Sequence, residues 1–117
     1  MCSLLKHSEI AMKDGLYQVS FKSNQQDFGV GIVTVKDGKA NGGDYAYFYQ
    51  GDITEESALL KVTRYNDQAT SVFGPIKEFH LELKVKPVMG YHILEGHIQG
   101  QPGMQIQIHT RLLAPLV

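Results

Sequence analysis

Five histidines (His7, His80, His92, His97 and His109) and one cysteine, Cys2, are the residues best suited to make a metal centre or a nucleophile in this chain. A zinc site gathers three or four ligands, commonly at spacings such as C-x2-C or H-x3-H. His80, His97 and His109 occupy the polar positions of alternating segments. The last hairpin could bring His97 and His109 near Glu95. They read as solvated strand histidines, with no metal and no cofactor.

Cys2 lies near His7 at the chain start and cannot form an intramolecular disulfide, which makes a reducing, cytoplasmic setting the expectation. No Ser-His-Asp or Cys-His pair can be placed. Gly42-Gly43-Asp44 precedes no helix, so it is not a phosphate loop. Glycosidases need two inward carboxylates facing one cleft, whereas Asp52, Glu55, Glu56 and Glu82 read as loop or surface groups. Enzymatic activity is not expected.

The segments that would position these residues are strands. In "LYQVSFKS" Tyr17, Val19 and Phe21 alternate with Gln18, Ser20 and Lys22, the period of a half-buried strand. "FGVGIVTVK" runs into Asp37-Gly38, a strong hairpin signal. Asn41-Gly42-Gly43 reads as a bend before "DYAYFYQG", in which Tyr45, Tyr47 and Tyr49 share one face and Ala46 and Phe48 the other. "SALLKVTRY" follows. "FHLELKVK" places Phe79, Leu81, Leu83 and Val85 inward, and Pro87 is expected to end it. "YHILEGHIQ" and "MQIQIHTRLL" are joined by a Gly100-Gln101-Pro102-Gly103 turn.

No segment carries a convincing helical period; "SLLKHSEIA" and residues 66–75 come nearest. About seven or eight short strands with hairpin-length connections suggest an all-β, up-and-down antiparallel meander closing into a barrel. A sandwich is the alternative that periodicity does not separate.

The 117 residues make one domain able to bury a core without staples. Eleven basic residues against twelve acidic ones leave a net charge of -1, no footprint for direct nucleic-acid binding. No apolar run reaches the roughly 18 residues of a membrane span, and a secretory signal is not expected from "MCSLLKHSEIAMK".

Two binding features remain. The predicted interior (Tyr17, Val19, Phe21, Phe28, Val30, Tyr47, Phe48, Leu83, Leu94, Ile106 and Ile108) could be packed solid or could hold a small apolar ligand. The loop "GDITEES" carries Asp52, Glu55 and Glu56, a candidate docking patch for a basic partner. Around Ile32, alternation puts Phe28, Val30 and Ile32 on one face, and Val33 and Val35 with Gly29 and Gly31 on the other. An apolar outer face calls for a cover, either the N-terminal segment or a second copy, and Val33 and Val35 are the predicted homodimer interface.

"MKDGLYQVSF", "GGDYAYFYQG", "RYN", "SVF" and the final "PLV" together resemble the GrlR family of negative regulators of type III secretion. The matches fall at Met12 to Tyr17, Gly42 to Asp44, Tyr49 to Gly51, and Arg64 to Asn66, and the resemblance covers residues 12–117. Met1 to Ala11 precede the family's usual start and read as a flexible N-terminal extension.

The resemblance implies a lipocalin-like (calycin-type) barrel that dimerises in the bacterial cytoplasm. It also implies that the barrel represses transcription by sequestering a helix-turn-helix activator protein, with an acidic loop in the recognition. The family's loop holds an unbroken acidic run where this chain has Thr54-Glu55-Glu56-Ser57. A carrier or sensor of a small apolar ligand is the alternative function.

Overall fold

The structure is a computed structural model, and it describes residues 12–23, 27–66, 77–89 and 91–117; of Asp27 and Phe28 it describes the backbone alone. The N-terminal extension and the weak helical candidates lie outside these residues, apart from Asn66.

Eight strands run in order: β1 (Gly15–Ser23), β2 (Asp27–Lys36), β3 (Lys39–Gly43), β4 (Tyr47–Ile53), β5 (Ser57–Arg64), β6 (Glu78–Val88), β7 (Tyr91–Ile98) and β8 (Gln101–Ala114). Each pairs antiparallel with the next, and β8 pairs back onto β1, closing the barrel. This is the all-β, up-and-down barrel that alternation and short connections predict, and closure removes the open sheet edges of a sandwich. The core is the inner face: Tyr17, Val19 and Phe21 from β1 meet Leu81, Leu83 and Val85 from β6, Leu94 and Ile98 from β7, and Ile106 and Ile108 from β8.

β2 departs from plain alternation in a way that decides which residues face inward. In the β1–β2 ladder Phe21 faces Phe28 but Ser20 faces Val30, so Gly29 is an extra residue. Its φ of +64° is left-handed, which suits glycine and makes a β-bulge. An inserted residue inverts the parity of everything after it. Val30 and Ile32 therefore point outward, 57% and 45% exposed, while Val33 and Val35 point inward at 7% and 1%. The expectation that Val30 lines the interior is corrected, as is that of a dimer interface on Val33 and Val35, which belong to the core. Gly31 also faces inward, and a Cβ there would lie 3.0 Å from the Tyr49 hydroxyl. The ring of Tyr49 occupies the space that a side chain at position 31 would take.

Three local boundaries also differ. Asn41-Gly42-Gly43 is the end of strand β3, and the bend comes at Tyr45–Ala46. β6 continues through Pro87 to Val88. The β5 ladder ends at Ser57↔Lys84, so the missing N–H of Pro87 costs no bond on that side. The last turn is Gln99-Gly100, and β8 already begins at Gln101.

Candidate functional site

Three of the family-like motifs build the two ends of the barrel. At one end Asp44 is the organiser. Its Oδ1 accepts backbone N–H bonds from Ala46 and Tyr47, each 2.8 Å, and its Oδ2 accepts the hydroxyl of Tyr49. An aspartate that captures amides two and three residues ahead fixes a turn. Here that turn launches β4 with Tyr47 and Tyr49 facing in. Burial, the hydrogen bond to Asp44 and the Asp44 charge all push the Tyr49 pKa up, so it stays a neutral donor.

The Arg64-Tyr65-Asn66 triplet folds onto the same turn. Tyr65 donates its hydroxyl to the Asp44 carbonyl at 2.5 Å, and Asn66 Nδ2 donates to the Tyr45 carbonyl at 3.0 Å. The Tyr65 amide donates to the Ala46 carbonyl at 3.1 Å. "GGDYAYFYQG" and "RYN", separated in sequence, are thus one structural unit.

At the other end, Asp14 Oδ1 accepts the amide of Asp37 at 3.0 Å, tying the "MKDG" segment to the β2–β3 turn. Tyr17 donates its hydroxyl to the Lys13 carbonyl at 2.6 Å. The Ile53 amide donates to the Gly38 carbonyl at 2.7 Å, so the β4–β5 turn lies beside the β2–β3 turn. In the β4–β5 turn Thr54 Oγ1 accepts the amides of Glu56 (3.3 Å) and Ser57 (3.0 Å). This end carries five carboxylates, Asp14, Asp37, Asp52, Glu55 and Glu56, with Lys13, Lys36 and Lys39 among them. Lys39 pairs with Asp52. Asp14 and Asp37, absent from the sequence-based site, join it because the chain start and the first hairpin turn meet there.

The outer wall of β2 to β5 links the two ends. In register across it lie Ile32, Gly43, Phe48 and Thr63. Gly43 contributes no side chain, and the space a Cβ would take there is already filled by Phe48, whose own Cβ would lie 3.4 Å from it. Phe48 points out of the barrel, not into the cavity expected for it, and its ring sits 6.3 Å from that of Tyr65. With Val30, Ile32 and Tyr45, these two rings form an exposed apolar group. Along β4 the outward positions then run Phe48, Gln50, Asp52, from the apolar group to the acidic end. Four residues of strand span about 13 Å.

The remaining expected cavity residues with described side chains (Tyr17, Val19, Phe21, Tyr47, Leu83, Leu94, Ile106 and Ile108) are buried in the core; the side chain of Phe28 lies outside the described residues. The core retains a void of only about 20 Å3, bordered by Tyr17, Phe21, Tyr49 and Leu94. That is about enough for a water molecule, against the roughly 300–1,000 Å3 typical of small-molecule sites.

His97 and His109 do not meet at Glu95. Glu95 pairs with Lys86 at 3.3 Å, His97 lies 3.6 Å from Glu82, and His109 lies 2.7 Å from Gln107 Oε1. Among the described residues no group of three metal-ligating side chains comes together. No helix of the described residues is long and apolar enough to cross a membrane. The chain matches no protein-family model and no curated protein.

Proposed function

We propose that this chain is a non-enzymatic regulator of the GrlR type, acting in the cytoplasm by binding and sequestering a helix-turn-helix activator protein. The observation that carries the reading is the outer wall of β2–β5, where an exposed apolar group leads to a rim of carboxylates. A DNA-binding helix is basic, and masking it calls for negative charge together with an apolar anchor. Phe48, Tyr45 and Tyr65 suit the anchor, since aromatic rings bury much area at little rotamer cost. The about 13 Å from Phe48 to Asp52 matches roughly nine residues of helix. A homodimer belongs to the same proposal, with Val30 and Ile32 as the outward apolar residues of β2.

The test is affinity capture with wild-type protein, with Glu55→Lys/Glu56→Lys and with Phe48→Ser, followed by identification of what is bound. The expected result is a helix-turn-helix protein captured by wild type and lost from both variants. Equal capture by all three would remove this wall from the mechanism.

A further inference from the structure

The opposite wall, formed by β6, β7, β8 and β1, has a different chemistry. Its outward residues align across four strands: Lys84 with Glu95, Glu95 with Gln107, and Gln107 with Lys22. A groove of about 550 Å3 lies over this row, bordered also by Lys86 and His97. That volume falls within the roughly 300–1,000 Å3 of small-molecule sites.

Charge within the groove is uneven. Among the described side chains the one carboxylate bordering it, Glu95, is engaged by Lys86 at 3.3 Å, and Glu82 outside it lies 3.6 Å from His97. Lys84 and Lys22 stand on opposite banks, and neither has a carboxylate partner among the described side chains. Asp27, whose side chain is outside them, is the register neighbour of Lys22 on β2. Among the described side chains the groove thus holds two ammonium groups without a carboxylate partner, at the two ends of a row in which Glu95 and Gln107 lie between them.

We propose that this groove binds a small phosphate-bearing ligand, spanned by Lys22 and Lys84 and hydrogen-bonded by Gln107. Lysine is a point charge that serves tetrahedral oxyanions, whereas planar carboxylates favour the fork of an arginine, and no arginine borders the groove. The site does not depend on the regulatory reading.

Inorganic pyrophosphate titrated into isotope-labelled full-length protein at low ionic strength tests it by amide chemical shifts. Saturable shifts centred on Lys22, Gly96, His97 and Gln107 are expected. Affinity should fall about tenfold or more in Lys22→Gln/Lys84→Gln, the loss expected for charge-assisted contacts, and stay unchanged in Lys36→Gln. Citrate should bind more weakly than pyrophosphate. Undiminished affinity in the double variant, shifts spread equally over Lys36 and Lys61, or tighter binding of citrate would each overturn the proposal. Should the double variant lose the wild-type circular dichroism, the two single variants carry the test.

Discussion

Tyr49 and Asp44 are joined across the first turn of β4, the buried phenol donating to the carboxylate that also holds the amides of Ala46 and Tyr47. One side chain therefore satisfies three donors at this end of the barrel. Asp44→Ala leaves all three without that acceptor and should cost about 2–4 kcal/mol, measured by urea unfolding. Asp44→Asn should cost less, because its oxygen still accepts the two amides while its nitrogen can donate to the phenol oxygen. In a double-mutant cycle the Asp44→Ala and Tyr49→Phe losses should be less than additive. A loss under about 0.5 kcal/mol for Asp44→Ala, the range of ordinary surface changes, would show that the turn holds without its carboxylate.

A close approach of backbones sets the next prediction. A Cβ on Gly51 of β4 would lie 2.0 Å from the Leu59 carbonyl oxygen of β5, whereas a Cβ on Gly103 of β8 would meet nothing within 4 Å. Gly51→Ala should therefore force the two strands apart and destabilise by roughly 1–3 kcal/mol. Gly103→Ala should be neutral or stabilising by up to about 1 kcal/mol, through a less flexible unfolded chain. Thermal melts of the two variants give the comparison, and equal melting temperatures would contradict the strand spacing.

Alkaline stability follows from two phenols. Burial is the largest cause raising the pKa of Tyr49, with the Asp44 hydrogen bond and charge adding to it. Burial also raises Tyr17; its bond to the Lys13 carbonyl opposes this, and the Asp14 charge adds to it. Their unfolded pKa is near 10.0, so above that pH the unfolded chain releases protons that the native state retains. The native state then binds more protons, and stability falls as pH rises. It should be unaffected by these groups below pH 10.0 and decline above it. The part of the tyrosinate absorbance that Tyr49→Phe removes should rise together with loss of the β-sheet dichroism, and Tyr49→Phe should flatten the decline. Ionisation of Tyr49 in a fully folded barrel would contradict the assignment.

The barrel was legible because β1 and most of β6 alternate without interruption. "LYQVSFKS" and "FHLELKVK" become β1 and β6 with the inner faces that their periods dictate, and Asp37-Gly38 makes its hairpin. The acidic rim was half legible. Asp52, Glu55 and Glu56 are neighbours in sequence, whereas Asp14 and Asp37 join them through a hydrogen bond between segments far apart in the chain. Phe48 was misread because period two gives the side of a strand but not which side is inward when both are apolar. Of the motifs that carry the family resemblance, "MKDG", "GGDYAYFYQG" and "RYN" proved to hold turn and contact residues, while "SVF" lies outside the described residues. They speak for the architecture more directly than for a partner.

Gly29 is where the reading of β2 fails, and it gives the sharpest test. A glycine within an apolar strand is a signal for a bulge, and its φ of +64° moves the register by one. Plain alternation makes Ile32 a core residue and Val33 a surface one; the bulge exchanges them. Val33→Lys should then bury a charge among Tyr17, Val35 and Tyr49, neighbours around the central void, costing roughly 3 kcal/mol or more. Ile32→Lys should change stability by no more than about 0.5 kcal/mol. If the dimer uses this face, it should also lower the mass seen in sedimentation. Gly29→Ala, forced into the left-handed region, should cost about 1–2 kcal/mol. Were Ile32→Lys the more damaging of the two lysine variants, the bulge would be absent, and with it the outward apolar wall on which the proposed docking rests.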